Sequence, residues 1–390
     1  MQLTSQDSSP PRSGGEAGWG GPPPQPSPRS AGGGSLWLRS ASWDLCWFIL
    51  PGLLAVALVL GLHLAGVIEG PHDDLPPWAW LATVVAIDVA HVWATLYRVY
   101  LDPVERERRA LLYTWLPAAV WLAGAVLYAI SSGVFWSVLA YVAVFHFIRQ
   151  QEGFVKLYRR KAGERDDPRW DTGAVWVMTL YPVLYWHAHL PRSFHWFRNR
   201  DFVPLPLGRV IDLLSVLYWC FLIIYVLRTI VRRQWNPGKW GVLLATWACW
   251  YVGIVPFDSD LAFTITNVVL HGVPYLGLVL MVSMRKQESP SPFLDGTLAA
   301  RLFARGVMGL ALAIGVLLLL AYGEEALWDG LVWHEHGTVF GTFAWIDPGP
   351  LVALVVPFLS IPQATHYLLD GVIWKLDGSN PGLRENLGLS

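Results

Sequence analysis

Apolar runs of about 18 residues or more, nearly free of charge, recur along this 390-residue chain. A run of that length is what an α-helix needs to cross the hydrocarbon of a bilayer. Ten of them fall at about residues 45–68, 78–100, 111–130, 134–150, 174–190, 210–230, 240–257, 260–284, 302–322 and 350–374. The expected fold is therefore all-α: a polytopic integral membrane helical bundle of about ten transmembrane helices. Composition points the same way. Charged residues make up 15% of the chain, where a soluble domain carries about 25%. Hydrophobic residues make up 54% and mean hydropathy is +0.40.

The cations give the orientation. Of the 28 Lys and Arg, all but Arg192, Arg198, Arg200 and Arg209 fall in the two tails or in and beside the even-numbered connections. The opposite connections are acidic, as in Glu69-Gly-Pro-His-Asp-Asp74 and Asp258-Ser-Asp260. By the positive-inside bias both termini are expected in the cytoplasm, which agrees with an even number of spans. The expected location is a multi-pass position in a bacterial inner (plasma) membrane.

Three segments follow. Gly, Pro and Ser fill 22 of the first 35 positions, so residues 1–35 read as a disordered cytoplasmic tail. Residues 36–376 form the transmembrane helical domain, and 377–390 a short C-terminal tail. No connection is long enough to fold as a soluble domain, so any chemistry lies in or at the bilayer. The net charge of −1 gives no basic field for nucleic acid. Cys46, Cys220 and Cys249 are far apart and form neither a Cys-x-x-Cys site nor a disulfide framework.

Ionisable side chains inside a bilayer are costly and mark function. The spans hold Asp88, His91, His146, His271, His366 and Asp370. Asp88 and His91 are three residues apart, and His366 and Asp370 four, so each pair shares a helix face. Asn267 stands four before His271, and Gln363 one turn before His366. At about 1.5 Å of rise per residue, His91 lies roughly 10 Å from Arg98, His146 roughly 5 Å from Arg149, and His366 roughly 14 Å from Lys375. Asp370 lies roughly 8 Å and Asp88 roughly 15 Å from the same marks. These five share one leaflet. His271, roughly 21 Å from Arg285, joins them only if its span is tilted or bent, an opportunity that Gly272, Pro274 and Gly277 provide.

Imidazole with carboxylate suits iron, with zinc, copper or manganese as alternatives, and the lack of thiolates disfavours iron–sulfur clusters. The six groups are candidate metal ligands for a mononuclear or di-iron site. Glu152 is the candidate further carboxylate with a catalytic part, and Asn267 and Gln363 are candidates for holding the imidazoles. His187, His189, His195, His334 and His336 stand towards the opposite side, where belts of aromatic and His residues are common. Arg98, Arg149 and Lys375 flank the inner site as interfacial anchors or as partners for an anionic headgroup.

The boxes of membrane desaturases and hydroxylases, His-x3-His and His-x2-His-His, are absent. Phe145-His-Phe147, followed by polar residues, resembles a stretch in the Brp/Blh membrane carotene dioxygenases over a few residues. That resemblance implies iron-dependent lipid oxidation built from scattered membrane histidines.

The leading expectation is a membrane-embedded, metal-dependent oxidoreductase, a non-haem iron oxygenase or desaturase-like enzyme. It would draw a lipidic substrate from the surrounding membrane lipids and electrons from a cytoplasmic donor. The alternative is a proton- or metal-ion-coupled transporter using the same His/Asp cluster. A bis-His haem protein and a purely structural role complete the possibilities.

Overall fold

The computed structural model describes residues 36–70, 75–288, 302–303, 306–341 and 346–389. The Gly/Pro/Ser-rich tail, positions 71–74 of the first acidic connection, Arg301 and Arg305 lie outside them. The described residues are largely helical, with no strand among them. Ten long helices correspond to the ten apolar runs: α1 (Ala41–Leu64), α2 (Pro77–Arg98), α3 (Ala110–Ile130), α4 (Ser132–Lys161), α5 (Arg169–Ala188), α6 (Val210–Val231), α7 (Pro237–Ile254), α8 (Asp260–Lys286), α9 (Gly306–Trp333) and α10 (Gly349–Ile373). Eight are long and apolar enough to cross a membrane. The exceptions, α5 and α7, carry polar groups such as Asp171, Lys239 and Thr246, which are buried against neighbouring helices. A helix enclosed by others meets little lipid and tolerates such residues when they find partners.

Local chemistry sets the boundaries. The Ser40 hydroxyl accepts from the Trp43 amide at the start of α1. Asn236 accepts from the Lys239 amide ahead of Pro237 at the start of α7. Ser131 alone separates α3 from α4: it ends one helix and its hydroxyl accepts from Val134 to begin the next. That single extended residue folds the two helices into a hairpin. α2 departs from a uniform helix, because Leu81–Val89 makes wide π turns just ahead of His91. Such turns are rare and frequent at functional sites.

Burial sorts the helices. α8 is central, with 89% of its apolar stretch enclosed, and it packs against α1, α2 and α7. α3 is peripheral, at 11%, and shows Leu111, Trp115 and Val126 to the outside. At the basic end the connections are tied down. Arg98 donates to Ile373 O at 2.9 Å and pairs with Glu105, and Arg109 donates to Ser379 O at 2.8 Å. Residues 377–389 fold back on this end: Leu383, Leu387 and Leu389 are buried, and Lys161 donates to Gly388 O at 2.6 Å.

Candidate metal centre

Four helices bring one histidine each to a single point: His91 from α2, His146 from α4, His271 from α8 and His366 from α10. All four are buried. Their rings form a closed quadrilateral. Centroids are 4.5 Å apart for His91–His271, 5.0 Å for His271–His146, 4.8 Å for His146–His366 and 5.0 Å for His366–His91. The His271–His366 diagonal is 6.4 Å. Half of it, about 3.2 Å, leaves room at the centre for an ion at the 2.0–2.1 Å of a metal–imidazole bond.

The nitrogens facing this space lack partners. His91 Nε2, His146 Nε2, His366 Nε2 and both nitrogens of His271 are buried without a hydrogen bond. Histidines placed only to join helices would use those atoms. The remaining nitrogens decide what the free ones are. His91 Nδ1 lies 3.3 Å from Ile87 O, a carbonyl that only accepts, so the proton sits on Nδ1 and the lone pair on Nε2. His366 Nδ1 is 2.9 Å from Thr95 Oγ1, which is 3.4 Å from Tyr275 Oη, whose hydroxyl donates to Asp370 Oδ1 at 2.8 Å. With the Tyr275 hydroxyl donating to Asp370, its oxygen accepts from Thr95, and the Thr95 oxygen in turn accepts from His366 Nδ1–H. The Nε2 of His366 is again a free lone pair aimed inwards.

Asp370 adds an oxygen beside the rings, 3.8 Å from His146 Nε2, and is steadied by the Trp374 indole at 3.2 Å. Ligand atoms of His91, His271 and His366 lie within 4.8 Å of one another, as do those of His146, His366 and Asp370. The two groups share His366, so small ring rotations would close on one ion or on two ions 3.5–4 Å apart. Asp88 stands to the side, 3.6 Å from His91 Nδ1, and faces a separate cavity. Glu152 is engaged elsewhere. It pairs with Arg149 and Lys156 and accepts from the Thr172 hydroxyl at 3.3 Å.

His271 reaches the cluster on a continuous helix, because α8 meets α2 without side-chain bulk. A Cβ at Gly272 would lie 2.6 Å from Ile87 Cγ2 and 3.3 Å from His91 Nδ1. Two further contacts set the rings. Phe147 stacks on His271 with centroids 3.5 Å apart. Gln363 donates to the Tyr367 hydroxyl at 2.8 Å, and the Tyr367 ring lies 4.7 Å from that of His146. Gln363 thus acts through Tyr367. The Asn267 amide donates to Phe263 O at 3.2 Å, and its own Oδ1 has no partner.

Among the described residues, no other group of three histidines comes together as these do. His187 bonds Val183 O and Tyr141 Oη, His189 bonds Tyr185 O, and His336 stacks on Trp80 at 3.7 Å. Arg98 is a structural tie to Glu105 and Ile373 rather than a neighbour of the rings.

Two cavities flank the cluster. One of about 750 Å³, at the end where α4 and α8 begin, is lined by Asp88, Asn267, Glu324, Glu325 and Gln363 among others. The other, about 490 Å³, lies at the basic end and is lined by His146, Tyr275, Tyr367 and Asp370 with apolar side chains of α4 and α10. Comparisons of the chain with protein-family models, curated proteins and solved structures found no match.

Proposed function

We propose that this chain is a membrane-embedded, metal-dependent oxidoreductase, oxygenase- or desaturase-like, acting on a lipidic substrate. The observation that carries the reading is the ring of four buried histidines whose inward nitrogens have no protein partner. The ligands would be His91, His146, His271 and His366 with Asp370. Nitrogen and carboxylate donors without thiolate favour iron, with zinc, copper or manganese as alternatives. Bound iron would supply oxygen activation. The protein holds the rings through Thr95, Tyr275 and Phe147.

The overall balance is set by the reaction class. In hydroxylation one atom of O₂ enters a C–H bond and the other leaves as water. In desaturation two C–H bonds break and both oxygen atoms leave as water. Each takes two electrons and two protons besides the substrate, the electrons from a cytoplasmic donor. The reading includes ten crossings with both termini in the cytoplasm, which sets the 490 Å³ cavity on the cytoplasmic side.

The test is metal analysis with an absorption spectrum on detergent-purified protein, beside a His91→Ala/His366→Ala variant. One or two equivalents of iron, lost in the variant, is the expected result. Protein free of metal when freshly prepared, with a normally folded variant, would overturn the reading. A second reading has its own support: cavities on both sides of the cluster are what a proton- or metal-ion-coupled transporter needs. Ion-dependent flux in vesicles, without tightly held stoichiometric metal, would favour it.

A further inference from the structure

The cavity at the basic end has three features that a gap in packing would not combine. Its mouth is apolar and faces outwards: Val142 and Phe145 of α4 and Leu368 of α10 line it and are exposed. In a bilayer such a mouth opens sideways into the lipid chains. Its lining carries Arg149, Lys156, Arg160 and Lys375 against two carboxylates, Glu152 and, beside the cluster, Asp370. Glu152 engages Arg149 and Lys156. Arg160 and Lys375 are exposed, and neither has a carboxylate within 4.0 Å among the described residues. The third feature is a pair of glycines, Gly153 and Gly371, inside helices on the cavity wall. A Cβ at either would meet nothing within 4 Å. Glycine inside a helix is less stable than alanine by roughly 0.5–1 kcal/mol, and its use beside open space suits close approach of a ligand to the backbone.

We infer that this cavity binds an anionic membrane lipid, its acidic headgroup on Arg160 and Lys375 and one acyl chain running past Gly153 and Gly371 towards His146 and Asp370. The size agrees. At about 30 Å³ for a water-sized group, 490 Å³ holds roughly sixteen such groups, one chain rather than two. Lys375 lies five residues beyond Asp370 and Arg160 fourteen beyond His146, so a headgroup held by the two sits about 8–21 Å along the helices from the cluster. A second chain of the same lipid stays in the bilayer. The identity of this lipid as substrate rests on the oxidoreductase reading, whereas its binding does not.

The experiment is native mass spectrometry of the delipidated full-length protein titrated with phosphatidylglycerol or phosphatidylcholine. Metal content is measured on the same samples. The wild type is expected to prefer phosphatidylglycerol by about tenfold. Arg160→Gln/Lys375→Gln removes the preference and leaves weak binding of both lipids. Gly153→Leu/Gly371→Leu, which adds side chains into open space, lowers binding of both. Thermal melts of each variant confirm folding.

Equal binding of the two lipids by the wild type would overturn the inference, as would a preference that survives the double Gln variant. Displacement of phosphatidylglycerol by inorganic phosphate alone would also overturn it, since it would show an anion site that takes no chain. A His146→Ala variant separates the two proposals. Lipid preference kept with no metal in any sample would leave the lipid site standing while the metalloenzyme reading fails; metal with no preference would do the reverse.

Discussion

The four cluster histidines share a local signature. Each is followed four residues on by a polar side chain: Thr95 after His91, Gln150 after His146, Tyr275 after His271 and Asp370 after His366. Residues four apart on a helix point the same way, so each helix delivers a ligand together with a supporting group. The support is exchanged between helices. Thr95 of α2 holds His366 of α10, Gln150 of α4 donates to the His271 carbonyl on α8, and Tyr275 of α8 holds Asp370 of α10. Thr95→Val tests this. It keeps the volume and removes the acceptor for His366 Nδ1–H, so the ring is free to turn or change tautomer. A lost partner of a metal-bound imidazole costs about 10–100-fold in affinity. The expected outcome is metal binding weakened by that factor in chelator competition, with a melting temperature near wild type for the metal-free protein. Thr95→Ser, which keeps the hydroxyl, restores affinity. Unchanged affinity in Thr95→Val would remove Thr95 from the site.

Elements meet at the basic end, where the short helix Pro103–Arg108 closes α2 onto α10. Glu105 is buried there with Arg98, Arg108, Arg109 and the Tyr113 hydroxyl around it. Burial alone would raise its pKa, but the Tyr113 hydroxyl and the three guanidinium groups outweigh it and hold the carboxyl below the usual range. Its stabilisation is therefore complete above the ordinary glutamate pKa and is lost as pH falls through the depressed one. Glu105→Gln leaves Arg98 buried without its counter-charge, a change that costs about 3 kcal/mol. Melting curves should show the full deficit at neutral pH, closing as acid protonates the wild-type carboxyl. A deficit constant with pH would mean that packing, not charge, fixes this joint. Such ties were not legible in the sequence, whereas the helices were, since length and apolarity mark a span wherever it occurs. α4 shows the limit of that signal: its apolar run ends near residue 150, yet the helix continues to Lys161. There the polar half finds partners in Asp171, Asp166 and Gly388. Arg285, the cation that follows His271 along α8, reaches the carbonyls of Leu38 and Asn386 in the folded-back segments.

For the whole molecule, α5 and α7 decide how many helices cross. Their hydrophobicity alone leaves them out of the eight, but their end contacts speak for crossing. At the start of both, Asp171 of α5 and Lys239 of α7 meet at 3.2 Å beside Arg159 of α4. Past their other ends, Arg192 donates to Ile254 O at 3.2 Å and pairs with Asp258 at 3.0 Å. The two helices thus run side by side over the same length. α6 runs back between those ends, bringing Tyr225 to Asp171. Arg192, an exception to the charge rule, is neutralised by Asp258. With ten crossings Asn199 lies outside and Arg232 inside. If α5 and α7 fail to cross, the two positions exchange sides while every other connection keeps its place. Single cysteines, Asn199→Cys and Arg232→Cys, in a background with Cys46, Cys220 and Cys249 replaced, separate these arrangements. A membrane-impermeant maleimide added to intact cells should label the first and spare the second until the membrane is opened. The reverse pattern would reduce the count to eight and set α5 and α7 on the surface of the bundle, where the buried Asp171–Lys239–Arg159 network has no reason to be enclosed.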